Sequence, residues 1–505
     1  MAKIRTRARA VDMLGRQQIA TVQNAIAELF KNAYDAYAKR VQVDYLRGNG
    51  VDENGTLLVR DNGIGMTKDD FENKWLVLGT ESKVNANREP GYIPEGMSPR
   101  KITGEKGIGR LAIALLGRQV VVFTRAERKD GLHDLVVCWI HWGLFEIPGV
   151  NLDDIEIPVK TFKGGELPEL NAILALRDSF TSGIKNSTAY KMAPERCDKL
   201  IREIESLNPD LKALDAFFEK SSDGQGFSLS GEGRGTTFLI GSVNRVIPTE
   251  LDAENSAQDY SFRRLLLGFV DPVFSPMITD FKVSFKVWNA GSFVGAEYLD
   301  DSMFFTKDEL DNRTDHYFIG DVDEYGQFCG RCRIFDKEYP DLKIVWRNVK
   351  GKKTECGSFK VVFAALQGSK SESMVARKSQ DDFNAINAKL GHIGGMYVFR
   401  DGIKILPYGI NDFDWLEIEK RRNLGAGYYY FSYRRMFGAV LLSSQNNGAL
   451  VEKAGREGLQ KNVPYQQLRS IMMNLLDQVA AEYFRKDGRN TAVFEKQKKE
   501  YKKES

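Results

Sequence analysis

The chain has 505 residues, 42% of them hydrophobic, a size and composition suited to two or three domains with full cores. Its 72 basic and 69 acidic side chains leave a net charge of +3, so the overall balance points to no nucleic-acid or membrane partner and only local clusters could. Five cysteines, no apolar stretch after the basic start and no run of about 18 apolar residues argue against export or membrane spanning, and the expected compartment is the cytoplasm.

Residues 1–16 carry Lys3, Arg5, Arg7, Arg9 and Arg16 against Asp12, a pattern an ordinary frayed terminus would also show. From about Ile19 to Lys39 the spacing predicts a helix, with Ile26, Leu29, Phe30, Ala33 and Tyr37 on one buried stripe. Glu28, Asn32 and Asp35 fall on the opposite face, where an acid and an amide one turn apart can point together at a metal ion and its water. An isolated pattern of this kind is most simply a solvated polar face; its neighbours change the reading. Val41–Arg47 and Thr56–Arg60 read as strands, and the second runs directly into Asp61-Asn62-Gly63-Ile64-Gly65-Met66, whose glycines let a flat ring lie against the backbone.

Between Trp75 and Thr103 the text turns polar and rich in Asn, Gly and Pro, which predicts a mobile loop. Gly104-Glu105-Lys106-Gly107-Ile108-Gly109-Arg110 then precedes the apolar run Leu111–Leu116, read as a helix; backbone N–H groups of such a loop at a helix start suit phosphates. Lys106 pairs with phosphate oxygens or is merely solvated. Residues 119–125 and 134–142 read as strands. Residues 167–220 read as mostly helical, interrupted at Thr181-Ser182-Gly183 and at Asn208-Pro209-Asp210, and Gly235-Thr236-Thr237-Phe238-Leu239-Ile240 as a turn entering a strand.

A polar, acidic stretch after Gly241 sets the expected domain boundary near residue 250. Beyond it, strand-like runs at 281–287, 328–335, 342–346, 358–366 and 396–400 predict a second, mixed α/β domain. Cys329-Gly330-Arg331-Cys332 invites a zinc reading, but 327–335 alternates like a strand and a second CxxC is missing, so structural cysteines are favoured. Leu468, Ile471, Met472, Leu475 and Val479 keep helical spacing, and the end, with Lys496, Lys498, Lys499, Lys502 and Lys503, reads as a solvated basic tail over 481–505.

With its boxes in this order the chain resembles the GHKL ATPases (the gyrase B subunit, heat shock protein 90, the histidine kinases and MutL), with the MORC proteins as relatives. Glu28-x-x-x-Asn32-x-x-Asp35-Ala36 is similar to the first box, Asp61-x-Gly63-x-Gly65 to the second and Gly104-x-x-Gly107-x-Gly109 to the third. The resemblance implies an N-terminal Bergerat-type α/β sandwich, a mixed sheet covered by helices, over about 1–250, with an ATP lid over about 84–106. A mixed α/β transducer domain over about 260–480 follows. It also implies ATP and Mg²⁺ as ligands, with Glu28 as general base and Asn32 as the metal ligand. Asp61 would accept from the adenine amino group and Thr236 would support that acid. Asp35, Gly63, Gly65, Met66, Thr80, Lys83, Gly104, Lys106, Gly107, Ile108, Gly109 and Arg110 would line the nucleotide. Thr80-x-Ser82-Lys83 is similar to the start of the MutL lid.

Residues 397–463 contain Arg400-Asp401-Gly402-Ile403-Lys404, similar to MORC-type transducers. Gly455-Arg456-Glu457-Gly458-Leu459-Gln460 is similar to a heat shock protein 90 stretch whose arginine reaches the γ-phosphate. Arg456 would therefore be catalytic, stabilising charge on the transferred phosphoryl group, or else a surface arginine paired with Glu457 or Glu452. The implied activity is Mg²⁺-dependent ATP hydrolysis driving lid closure and an ATP-dependent homodimer, with the N-terminal segment as a strap. Such a clamp would act on double-stranded DNA or on a client protein, with MORC-like antiviral defence as one setting. The alternatives are a heat shock protein 90-like chaperone and a nucleotide-gated scaffold for a separate effector protein.

Overall fold

The computed structural model describes residues 6–14, 19–48, 55–78, 92–102, 109–221, 226–254, 261–271, 273–274, 280–347, 351–410, 412–453, 455 and 457–504. The chain divides into two compact units: residues 1–259 with 280–300, and residues 260–279 with 301–505. Residues 280–300 lie beyond the boundary expected near residue 250, yet they return to the first unit.

In the first unit α1 (Arg9–Leu14) and the residues before it lie along 142–152. Ala8 and Val11 are buried, Ala8 N donates to Val150 O at 3.1 Å and Arg7 Nη1 to Asn151 Oδ1 at 2.8 Å. This part of the basic start is therefore docked rather than frayed. Helix α2 (Val22–Asp35) begins at Thr21, whose hydroxyl accepts from Asn24 N. It ends sooner than its apolar spacing suggests, because Tyr37 takes φ +58°, and that residue belongs to the turn after the helix.

Among the described residues this unit holds one eight-stranded sheet, in the order β5-β4-β3-β6-β2-β1-β7-β8. The strands are β1 (Arg40–Leu46), β2 (Thr56–Asp61), β3 (Gly117–Arg128), β4 (Gly131–His141), β5 (Val159–Phe162), β6 (Gly235–Val243), β7 (Lys282–Trp288) and β8 (Gly295–Leu299). The β1–β7 pair is parallel and the others antiparallel. The run 281–287 is thus a strand as its alternation predicts, but it extends the first sheet. Sequence alternation gives a strand's faces, not its partner, and Lys282 N bonds Lys39 O only because the chain comes back.

Short helix α3 (Ile113–Leu116) packs on α2 on one face of the sheet. The other face is covered by α4 (Leu170–Asn186), α5 (Pro194–Ser206) and α6 (Leu211–Lys220). Helix α4 runs unbroken through Thr181-Ser182-Gly183, against the sequence reading: Phe180, Thr181 and Ile184 are buried, and the Thr181 hydroxyl donates to Asp178 O within the helix. The Asn208-Pro209-Asp210 break stands, with the Asp210 side chain capping α6. On this face Arg60 forks onto Asp44 Oδ2 at 2.9 and 2.7 Å, and its guanidinium lies 3.5 Å from the centroid of the Phe218 ring on α6. A buried ion pair of this kind is tolerable because further donors, from Gln42 and Trp288, satisfy Asp44.

The second unit holds, among its described residues, a seven-stranded sheet in the order β11-β10-β9-β12-β15-β13-β14. Its strands are β9 (His316–Val322), β10 (Phe328–Ile334), β11 (Lys337–Ile344), β12 (Phe359–Ala365), β13 (Gly395–Arg400), β14 (Ile403–Lys404) and β15 (Met436–Leu442), with β13–β15 parallel. Helix α7 (Val246–Glu254) closes the first unit's long segment, and α8 (Ser261–Leu266) opens the second. Fully buried Lys404 donates Nζ to Arg264 O and Leu267 O at the end of α8, and burial holds its amine well below the usual lysine pKa. Helix α9 (Gln380–Ile393) buries Phe383, Ile386 and Leu390, and α10 (Val463–Tyr483) buries the expected Leu468, Ile471, Met472, Leu475 and Val479.

The lysine-rich end is not a solvated tail. It forms α11 (Thr491–Glu504), whose Phe494 and Tyr501 are buried against Phe335, with Phe494 also packed on His316 and Phe484. The two aromatics stand about two turns apart and so share one helix face, but the run of polar residues between them, Glu495 to Glu500, masks that stripe in the sequence. Cys329 is exposed and Cys332 fully buried, so three residues apart on β10 they face opposite ways and cannot converge on one ion. No described helix is long and apolar enough to cross a membrane.

Candidate functional site

The polar face of α2 is an interior surface. Of its fourteen residues, Gln23, Asn24, Glu28 and Lys31 are buried along with the apolar stripe, and Glu28 is only 3% exposed. Glu28 Oε1 and Lys31 Nζ stand 3.6 Å apart within the helix. Asn32 and Asp35 are half-buried on the following turns. A solvated face would not place a carboxylate and an ammonium under cover, because burying charge is costly unless partners compensate it.

Asp61 ends β2 and is 8% exposed. It lies in register with Thr236 on β6, which in turn pairs with Thr124 on β3, so the three side chains form one row across the sheet. The Thr124 and Thr236 hydroxyls are 3.0 Å apart, and Met66 N donates to Thr124 Oγ1 at 2.9 Å. Gly63 N donates to Asp61 Oδ1 at 2.9 Å. Burial pushes the Asp61 carboxyl up to about 7, against the lowering effect of the Gly63 and Thr236 backbone bonds.

The glycines of this loop are needed where they stand. Gly65 takes φ +57°, and a Cβ there would lie 2.0 Å from Arg125 O; one at Gly63 would lie 2.7 Å from Ala36 O. Ile64 N bonds Ala36 O at 2.8 Å, and Asn62 Oδ1 accepts from Lys39 N and Arg40 N, so the loop is tied to the turn that ends α2. On its other side Arg128 Nη1 donates to Ile64 O and Nη2 to Gly65 O. Arg128 also pairs with Asp70; partial burial alone would raise the Asp70 carboxyl, but hydrogen bonds from Lys74 and Arg128 outweigh it and hold it below the usual range.

The structure therefore brings together Glu28, Asn32 and Asp35 on α2, and joins the turn ending that helix to Asp61, Gly63, Gly65 and Met66, with Thr236 beneath Asp61. Gly109 opens the short turn before α3, which packs on α2, and Arg110 follows it. Thr80, Lys83, Gly104, Lys106, Gly107, Ile108 and Arg456 lie outside the described residues. Of the expected lid, residues 92–102 are described and form no regular element. Thr124 and Arg128 escape the sequence reading. A threonine amid Val120–Phe123 and Ala126 is the one signal for the first, and it gains meaning only from cross-strand register. Among the described residues no group of three or more His, Cys, Asp or Glu side chains is arranged to hold a metal ion.

The sequence profile described as histidine kinase-, DNA gyrase B- and HSP90-like ATPase matches residues 20–140. Chaperone protein HtpG of Clostridium acetobutylicum is 34% identical over 120 residues, 21% of this chain and 18% of that protein. Chaperone protein HtpG of Bacillus licheniformis is 33% identical over 123 residues, 21% of this chain and 19% of that protein. The chain thus spans less than a fifth of the length of these curated relatives. A crystal structure of the N terminal domain of a DNA repair protein aligns with 94% of the chain and 97% of its own at 9% identity and a TM-score of 0.40, a likeness too loose to argue from. The matched residues hold α2, β1, β2, the glycine loop, β3 and nearly all of β4, so over 20–140 the chain carries a domain of the histidine kinase-, DNA gyrase B- and HSP90-like (GHKL) ATPase superfamily.

Proposed function

We propose that the protein is a Mg²⁺-dependent ATP hydrolase whose nucleotide site lies between α2 and the Asp61–Met66 loop. The observation that carries this reading is the buried acid Asp61, set in a row with Thr236 and Thr124 beside a helix whose polar face is covered. The residues fit an adenine nucleotide: the Asp61 carboxylate accepts from the adenine amino group, and Gly63 and Gly65 let the loop press against Ala36 and Arg125 so that it stays beside that acid. Asn32 is the protein ligand suited to Mg²⁺, which takes its remaining ligands from phosphates and water and needs no acidic cage. Bound there, the ion supplies charge to stabilise the transferred phosphoryl group. Glu28, on the same helix face one turn before Asn32, orients and deprotonates the attacking water. By the family resemblance, the glycine loop 104–110 and Lys106 would hold the phosphates, Thr80 and Lys83 would begin the lid, and Arg456 would be the arginine that acts on the γ-phosphate.

The likeness to the chaperone protein HtpG supports a chaperone-like, ATP-driven machine; that it dimerises as a clamp around a client protein or duplex DNA is part of the same proposal. A MORC-like defence role, acting with a separate effector, is the finer form of the same proposal. The test is ATP turnover by wild type and Glu28→Ala, with and without duplex DNA, while light scattering follows dimerisation. Turnover lost in the variant with an ATP-trapped dimer retained supports the clamp. Wild type that dimerises on ATP without turnover replaces it with a scaffold, and wild type that binds no nucleotide refutes both.

A further inference from the structure

Arg100 lies in the irregular segment 92–102 and belongs to none of the nucleotide boxes, yet its side chain is 8% exposed. Its guanidinium donates from Nη1 to Tyr34 O at 3.1 Å and to Ala38 O at 2.7 Å, and lies 4.7 Å from the centroid of the Tyr34 ring and 5.7 Å from that of Phe281. Its own backbone N donates to the Tyr37 hydroxyl at 3.3 Å. Nη2 reaches Asp280 Oδ2 at 3.3 Å, and the Tyr34 and Phe281 rings meet edge to face at 5.4 Å.

The contacts with Tyr34, Tyr37 and Ala38 fall at one place, the turn that ends α2. Terminal carbonyls of a helix have no partners within it, and a cation placed there satisfies them and complements the helix dipole. That turn is also the seat of the acid loop: Ala36 O accepts from Ile64 N, and Lys39 N and Arg40 N hold Asn62. One guanidinium therefore fixes the C-terminal end of the helix bearing Asn32 and Asp35 and, through Ala36, the height of Gly63 and Ile64 beside Asp61. Asp280 and Phe281 stand where the chain re-enters the first unit after residues 260–279, so the same side chain ties the turn to a crossover of the backbone.

We infer that Arg100 is a positioning residue for the ATP site, holding the metal-ligand turn of α2 and the adenine loop in one register and linking both to the crossover at residue 280. The inference rests on the ATPase reading above. A lysine cannot replace it fully, because one ammonium cannot serve Tyr34 O and Ala38 O from one nitrogen and Asp280 from a second while a planar group lies over the Tyr34 ring.

The experiment uses the full chain: wild type, Arg100→Met, Arg100→Lys and Asp61→Asn, each followed by ADP calorimetry and by turnover against ATP and Mg²⁺ concentration. Arg100→Met should raise the KM for ATP and the Mg²⁺ half-saturation by about tenfold, the scale of losing a group that orients a metal ligand. Because Arg100 touches no reacting atom, kcat at saturation should stay within about threefold of wild type. Arg100→Lys should recover part of both shifts. A merely structural arginine would lower the melting temperature and leave KM and Mg²⁺ dependence as they are; that result overturns the inference. If Arg100→Met does not fold, Arg100→Lys decides alone, and wild-type values for both constants overturn it. Wild type that binds neither ADP nor ATP brings down the ATPase reading itself, whereas binding lost only in Asp61→Asn keeps that reading and removes Arg100 from it.

Discussion

If the proposed function holds, burial of Asp61 should make nucleotide binding pH-dependent in a calculable way. With its carboxyl pushed up to about 7, the group is half-protonated near neutrality, and an adenine amino group donates to the ionised form. The apparent Kd is the intrinsic value divided by the ionised fraction, so it should be about twice intrinsic at pH 7, about tenfold at pH 6 and about a hundredfold at pH 5. The free protein should show the opposite trend in stability. Because the folded state holds the proton more tightly than an ordinary aspartate of pKa 3.8, the stabilising contribution is complete below pH 4 and is lost as pH rises toward 7. At pH 8 the ionised buried group costs on the order of 4 kcal/mol before a ligand compensates it. Calorimetric titration with ADP from pH 5 to 8, run in parallel on Asp61→Asn, separates this effect from protonation of the nucleotide's own phosphates, which both proteins share. A Kd ratio between the two proteins that stays constant across that range would refute the assignment of Asp61 to the base.

Thr124→Val should leave Met66 N and the Thr236 hydroxyl without their partner, costing about 1–3 kcal/mol in urea unfolding and weakening ADP binding; unchanged values in both would remove Thr124 from the site. Phe494→Ala opens the packing between α11 and Phe335, His316 and Phe484, and should cost about 3–5 kcal/mol of the second unit's stability by thermal melting. A solvated tail would tolerate that change with a loss below about 0.5 kcal/mol.

Much of the candidate site can be read along the chain because its parts are local: one helix with Glu28, Asn32 and Asp35, then one strand running into Asp61-Asn62-Gly63-Ile64-Gly65. Spacing decides which residues share a helix face, and a glycine next to an acid carries its conformational meaning with it. What spacing leaves open is whether a polar face meets water or the interior. The burial of Glu28 and Lys31 depends on what packs around α2, a helix that α3, from some eighty residues later, touches. The same limit explains α4, where Thr181-Ser182-Gly183 reads as a break by composition and stays helical because Phe180 and Ile184 are held in the core.

By itself the sequence determined the periodicities: the existence of α2, β1, β2, β6 and α10, the order of the glycine-bearing motifs, and the mixed α/β class. The tertiary structure alone decided the pairings between distant segments. It set Thr124 beside Thr236 and Asp61, returned 280–300 to the first sheet through β1–β7, seated Arg100 on the end of α2, and docked α11 through Phe494 and Tyr501. The physical reason is that helix and strand periods arise from contacts within a few residues, whereas register and burial depend on surfaces brought together from far along the chain, where many pairings share the same local pattern.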